Sequence, residues 1–300
     1  MSNLVNLEEL FTDKNEKLVC LEVNPPRGSN LDAIFAKVDG DNSGIDYFNV
    51  TDCALAKLRM SGVAFATLLK RRFNREVLLN FSCRDRNLIA LQSDLIGAEA
   101  LGVSSIVALT GDALSLGDFP EAKAVFEINS CKLLEIISSL NSGSDCQGGK
   151  LNCSTKLTPG AVINPNAKNS SSELKRFEKK VKSGAKYALS QPVFESESAH
   201  KFFLEFKRCF DLPVLVGLLP LKSLEAAKAI CNVPGIRISD AIVEDAAKLP
   251  VEAIESYFDK HLTELAKSLN PLVRGFHIVS GATPSLAIRF ARGLKKRVKI

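Results

Sequence analysis

Eight short apolar runs recur along the chain, each followed by a stretch of helical periodicity. The runs lie at residues 18–22, 47–51, 77–82, 105–109, 160–164, 186–191, 214–217 and 275–280. They are nearly continuous in Val, Ile, Leu and Phe, the composition of parallel strands buried on both faces. Helical patterns follow at 31–38, 54–70, 87–101, 122–139, 172–183, 196–210 and 224–231, at 242–267 in pieces, and at 284–294. Eightfold alternation of strand and helix is the signature of an α/β chain closed into a (β/α)8 TIM barrel, with a doubly wound sheet as the alternative. No repeat or linker divides the 300 residues, so a single barrel domain over 1–300 is expected. A glycine- and serine-rich stretch beginning Asn141-Ser142-Gly143-Ser144 predicts a flexible surface loop around 141–156.

Composition narrows the function classes. A formal charge of +5 is modest for this length, and much of the excess lies in the last twelve residues, where a solvated helix end accounts for it. Nucleic acid is therefore not an expected partner. The first residues, Met1 to Glu9, lack the basic start and apolar run of a signal peptide, and no stretch is long enough to span a bilayer, so a cytoplasmic location is expected. The eight cysteines form no C-x-x-C pair, and the three histidines, His200, His261 and His277, lie far apart. Reduced thiols and no metal site are the expectation.

In a barrel, functional side chains collect where strands end and loops begin. Glu22 is the sharpest example, because Pro25 and Pro26 follow at once and forbid helical continuation, holding the carboxylate at a fixed strand end. Desolvated there, it can keep its proton and donate it at neutral pH. Polar residues occupy the other ends too: Thr51-Asp52, Asn80 with Ser82 and Arg84-Asp85, Thr110-Gly111-Asp112, Asn164 with Asn166, Gln191, and Ser280-Gly281. Taken singly, Asp52 and Asp85 read as helix caps, Asp112 as a turn former, and Gln191 as a strand end before Pro192. Their common placement is what points to one cavity.

Six blocks carry a family resemblance: Glu22 through Gly28, Asn49-Val50-Thr51-Asp52, Cys83-Arg84-Asp85-Arg86-Asn87, Leu91-Gln92-Ser93-Asp94-Leu95, Leu109-Thr110-Gly111-Asp112, and Ser190-Gln191-Pro192-Val193-Phe194. In order and spacing they resemble methylenetetrahydrofolate reductases over nearly the whole chain. The resemblance implies a barrel that binds a flavin at its strand ends and reduces 5,10-methylenetetrahydrofolate to 5-methyltetrahydrofolate. It implies Glu22 as general acid, Asp112 as partner of flavin and pterin, and Gln191 as pterin ligand. Thr51 and Lys180 match flavin contacts, although Lys180 sits in a basic helix where a solvated face is the plainer reading. Gly111 falls within the matched block. Asn80, Thr110 and Asn164 stand where well-studied flavin adenine dinucleotide enzymes of the family carry histidine, arginine and histidine, and Gly160 stands for a tyrosine. The cofactor expected is therefore flavin adenine dinucleotide (FAD) or, alternatively, flavin mononucleotide (FMN). The electron donor is NADH, another reduced nicotinamide or a partner flavoprotein. Two alternatives stay open: a reductase subunit fed by a partner protein, and a non-catalytic folate-binding partner that has lost flavin. The outer helix faces suit a homo-oligomer or a different subunit equally.

Overall fold

The computed structural model describes residues 17–40, 42–281 and 283–299, so the stretch Met1 to Glu9 lies outside the described residues. Eight parallel strands close into a barrel in sequence order, the last pairing with the first. They are β1 Leu18–Val23, β2 Tyr47–Val50, β3 Glu76–Ser82, β4 Ser105–Leu109, β5 Thr158–Ile163, β6 Tyr187–Pro192, β7 Val214–Leu218 and β8 Gly275–Ile278. The apolar runs thus place all eight strands correctly. Around them stand α1 Asp32–Val38, α2 Gly62–Phe73, α3 Leu88–Ala100, α4 Ser130–Asn141, α5 Ser170–Lys182, α6 Ser196–Cys209, α7 Leu224–Ile230, α8 Asp240–Ala247, α9 Val251–Leu269 and α10 Pro284–Val298.

Strand side chains alternate, and the alternation divides the core in two. Val19, Leu21, Phe48, Leu79, Phe81, Ile106, Phe276 and Ile278 face outward into the layer shared with the helices. Leu18, Cys20, Tyr47, Leu78, Val107, Tyr187, Leu189 and Leu215 form a smaller cluster inside the barrel. Continuing the inward phase upward gives Glu22 on β1, Asn49 and Thr51 along β2, Asn80 on β3, Asn164 after β5 and Gln191 on β6. The barrel is apolar below and polar at its C-terminal mouth. Gly160 belongs to the lower part: a Cβ there would strike the ring of Tyr187, its register partner on β6. The tyrosine ring of the neighbouring strand fills the space that a larger residue at 160 would need.

Two helix expectations are corrected. Residues 54–70 do not form one helix. Cys53, Leu55 and Ala56 all take positive φ, making a tight left-handed turn before α2 begins at Gly62. Contacts from distant residues impose it: Arg84 donates to Cys53 O at 3.1 Å, Leu55 N donates to Asp112 Oδ2 at 2.7 Å, and Asp118 N donates to Ala56 O at 3.3 Å. Residues 122–139 likewise become helical only from Ser130, because Asn129 caps α4 by accepting from the backbone N–H of Cys131 and Lys132. The preceding segment instead straps across the loop after β3, with Val125 N donating to Arg84 O and Leu88 N donating to Glu127.

The stretch after α4 is internally bonded. Asp145 N donates to Gly149 O, and Cys146 N reaches Gln92 on α3 at 2.8 Å. No disulfide is present, the eight cysteines all being free. Among the described residues no helix is long and apolar enough to cross a membrane.

Candidate active site

Glu22 ends β1 with its carboxyl in the mouth. Its Oε1 accepts from Ser280 Oγ at 3.1 Å, Ser280 N at 3.2 Å and Asn24 Nδ2 at 3.4 Å. Burial raises its pKa above the ordinary carboxylate value, and those hydrogen bonds partly offset the rise. Asn24 in turn donates to Ser280 Oγ at 2.9 Å and accepts from Thr51 Oγ1 at 2.7 Å. Thr51, expected as a flavin contact, is therefore joined to the acid through Asn24. Alongside it, Asn49 donates to Asn80 Oδ1 at 2.9 Å and to Leu78 O at 3.2 Å. The Asn49 oxygen is buried without a partner among the described residues.

On the side of β4, Thr110 and Gly111 open a cavity of about 470 Å³ that runs on past Ala113 to the strap at Phe126–Asn129. It is a shallow depression open to solvent rather than an enclosed pocket. Gly111 takes φ +105°, and a Cβ there would collide with the Ser82 hydroxyl and come within 2.8 Å of Arg84 Cβ, so no larger residue fits. Thr110 Oγ1 accepts from Ser130 N at 3.2 Å, tying the cavity floor to the start of α4. Asp112 is exposed, with one carboxylate oxygen holding the left-handed turn through Leu55 N.

A third group lies at β5 and β6. Asn164 N donates to the buried Glu173, and Asn164 Oδ1 accepts from Asn166 N, each at 3.0 Å. Asn166 donates to Pro192 O and Gly235 O, which fastens the α7–α8 loop over this edge of the mouth. Gly235 lies in reach of both the Asn164 and Gln191 side chains. The Gln191 amide makes no hydrogen bond to a described residue and keeps both its donor and its acceptor available.

Lys180 departs from the plain reading of its helix. It is half-buried, its Nζ donates to Val162 O at 2.6 Å, and burial lowers its pKa while nearby Glu173 pulls the other way. Its ammonium thus reaches the barrel wall at β5. The arginine-rich block after β3 is structural. Arg84 pairs with Asp85 through two bonds at 2.7 and 2.8 Å, and Arg86 joins Asp52 at 2.6 Å and Asp94 at 2.9 Å while lying over the Phe81 ring. Asp52, which sequence alone allows as a helix cap, instead accepts from Arg86 and Ser82 N.

The sequence assigns no role to Asn24, Asn49 or His277, although the first two fall within the matched blocks. A period of two applied to β1 and β2 finds the first two, since 20, 22 and 24 share one face, as do 47, 49 and 51. His277 shows no such signal: it sits in β8 with Nε2 buried and unpartnered among the described residues, and burial lowers its pKa to about 4.

A family model described as methylenetetrahydrofolate reductase matches residues 7–282. The chain is 22% identical over 277 residues to a probable methylenetetrahydrofolate reductase (NADPH) from Caenorhabditis elegans, covering 87% of this chain but 39% of that protein. It is 26% identical over 227 residues to the 5,10-methylenetetrahydrofolate reductase of Escherichia coli, covering 73% of this chain and 70% of the relative. Among solved structures, a Clostridium thermocellum protein that binds two copies of 5-methyl-5,6,7,8-tetrahydrofolic acid superposes with TM-score 0.66 at 15% identity, over 97% of this chain and 99% of that one. A 2,3-dimethylmalate lyase gives TM-score 0.52 at 14% identity, over 98% and 86%. Those structural likenesses speak to the barrel fold alone, whereas the family model spans most of the sequence. The chain belongs to the methylenetetrahydrofolate reductase family.

Proposed function

We propose that this protein reduces 5,10-methylenetetrahydrofolate to 5-methyltetrahydrofolate, with Glu22 as the proton donor. The observation that carries the reading is a carboxyl at the barrel mouth whose burial favours its protonated form. Opening the five-membered ring of the substrate places the developing charge on a leaving nitrogen, and a proton delivered there lets the methylene carbon become an iminium. Glu22 supplies that proton. Gln191, with donor and acceptor both free, suits the amide-like edge of a pterin and would hold it in register with the acid. The folate-binding neighbour of the same fold and the names of the relatives support this substrate class.

A flavin fits the residues present. The open depression beside Thr110 and Gly111 has room for the edge of a planar ring system, and both of those residues line it. Thr51, Asn80, Thr110, Gly111, Asp112, Asn164 and Lys180 are the residues we assign to holding it, as FAD or FMN. When bound, reduced flavin supplies the hydride for the methylene carbon. Asp112 contributes a carboxylate beside that cavity, and the backbone N–H of Leu55 fixes one of its oxygens, leaving the other to orient a ligand amino group.

Anaerobic half-reactions test the proposal. Glu22→Gln should lower the rate of folate reduction by about 10²–10⁴-fold while leaving flavin content and its reduction by donor near native. Unaltered folate turnover would remove Glu22 from the mechanism. Acid release and mass determination of the cofactor decides FAD against FMN. Comparing NADH with reduced viologen as donor decides whether the chain draws on a nicotinamide or on a partner flavoprotein.

A further inference from the structure

The bonds around Glu22 have a direction. Thr51 Oγ1 gives its proton to Asn24 Oδ1, so the other face of that amide, Nδ2, turns toward Ser280 and Glu22. Ser280 Oγ accepts from Asn24 and is left to donate its own proton to Glu22 Oε1. The Ser280 backbone N–H, which cannot turn round, also donates to Oε1. Three donors therefore converge on one carboxyl oxygen, and the Gly281 backbone N–H adds a further hydrogen bond to the carboxyl group. A proton on that oxygen would face all three, so the arrangement favours the hydrogen of the protonated acid on Oε2.

We propose that Asn24 and Ser280, locked in orientation by Thr51, are positioning residues that confine the Glu22 proton to Oε2 and set the pH at which it is given up. The participants come from three places: Glu22 and Asn24 from the end of β1, Thr51 from the end of β2, and Ser280 from the loop after β8. Only closure of the barrel between β8 and β1 brings the last of these within reach. Among the described residues, nothing charged competes with them. The titratable groups beneath Glu22 inside the barrel are Cys20 on β1, with its register neighbours Tyr47 on β2 and His277 on β8, and burial keeps all three neutral. Above Tyr47, β2 and the residue after it present Asn49 and Thr51, which do not titrate. Asp52, two residues past the end of that strand, is turned to Arg86 and Ser82 N. Hydrogen bonds are thus the means by which this site moderates the effect of burial, and each of them favours the carboxylate.

The inference rests on the reading of Glu22 as a proton donor, but it can be tested without turnover. Full-length protein labelled with carbon-13 at the glutamate δ-carboxyl is titrated by NMR, and the Glu22 resonance is identified by its loss in Glu22→Gln. Ser280→Ala removes one donor to the carboxylate and should move the Glu22 midpoint upward by about one pH unit, a hydrogen bond to a charged group being worth on that order. Thr51→Val, close in shape, frees the Asn24 amide and should move it in the same direction by about half as much. Ser280→Thr keeps the hydroxyl and should restore the native midpoint. A midpoint unchanged in both Ser280→Ala and Thr51→Val would overturn the proposal, even if either variant lost activity.

The pH profile of folate reduction then separates this proposal from the functional one. An acid must be protonated to act, so the rate falls as pH rises through its pKa, and removing donors should carry that limb to higher pH together with the NMR midpoint. A shift seen by NMR without a shift in the rate profile would uphold the positioning network and overturn Glu22 as the catalytic acid.

Discussion

Single residues at the mouth are held by groups distant in sequence, and their substitutions separate charge from shape. Asp112→Asn keeps an oxygen able to accept from Leu55 N, so the left-handed turn should persist while the carboxylate charge is lost. We expect folate reduction to slow more than flavin reduction, and equal effects in the two anaerobic half-reactions would contradict the role given to Asp112. Asp112→Ala removes the acceptor as well, and amide exchange at Leu55 should accelerate in that variant alone. Gly111→Ala should be destabilising, by at least about 1 kcal/mol in urea unfolding, because its φ and the Ser82 hydroxyl both reject a Cβ. Glu22 is legible in sequence because two prolines fix the strand end that carries it. Its partner Ser280 is recognisable as a strand-end residue, but a bond spanning 258 positions in sequence follows only from closure of the barrel.

Elements differ in how far local sequence governs them. The eight strands are legible because burial on both faces demands an apolar run wherever the chain crosses the barrel. The turn at Cys53, Leu55 and Ala56 is not, since three left-handed non-glycine residues oppose local preference and are held by Arg84, Asp112 and Asp118. The start of α4 shows the same limit in milder form: apolar periodicity continues before Asn129, but the cap and the strap decide where helix begins. Between β3 and α3, the Arg86–Asp52 pair joins the ends of two strands and is almost wholly buried. Asp52→Asn leaves Arg86 only the half-exposed Asp94 as a carboxylate partner and should cost about 2 kcal/mol, read as a lower urea midpoint. The cost should extend to ligand binding only as far as the turn beside it loosens.

For the molecule as a whole, two buried titrating groups give stability opposite slopes with pH. Folding lowers the pKa of His277 from 6.5 to about 4, so its contribution is complete above 6.5 and is lost as pH falls through that window. The span corresponds to roughly 3 kcal/mol, and the urea midpoint should fall between pH 7 and pH 4. Glu22 acts in reverse: its folded pKa is raised, so stability is greatest below the ordinary carboxylate range and declines as pH rises through the folded value. Glu22→Gln should therefore unfold at higher urea than native protein at pH 8, with the advantage vanishing near pH 4. A persistent advantage at pH 4 would assign it to packing instead. The alternation that puts Glu22 inside and Leu21 outside has one more consequence. Deleting a single residue within β1 would exchange the two faces, sending the acid into the helix layer and an aliphatic side chain into the mouth. This protein can thus gain or lose length in its connections, as at the loop after α4, while its strands tolerate substitution but not insertion.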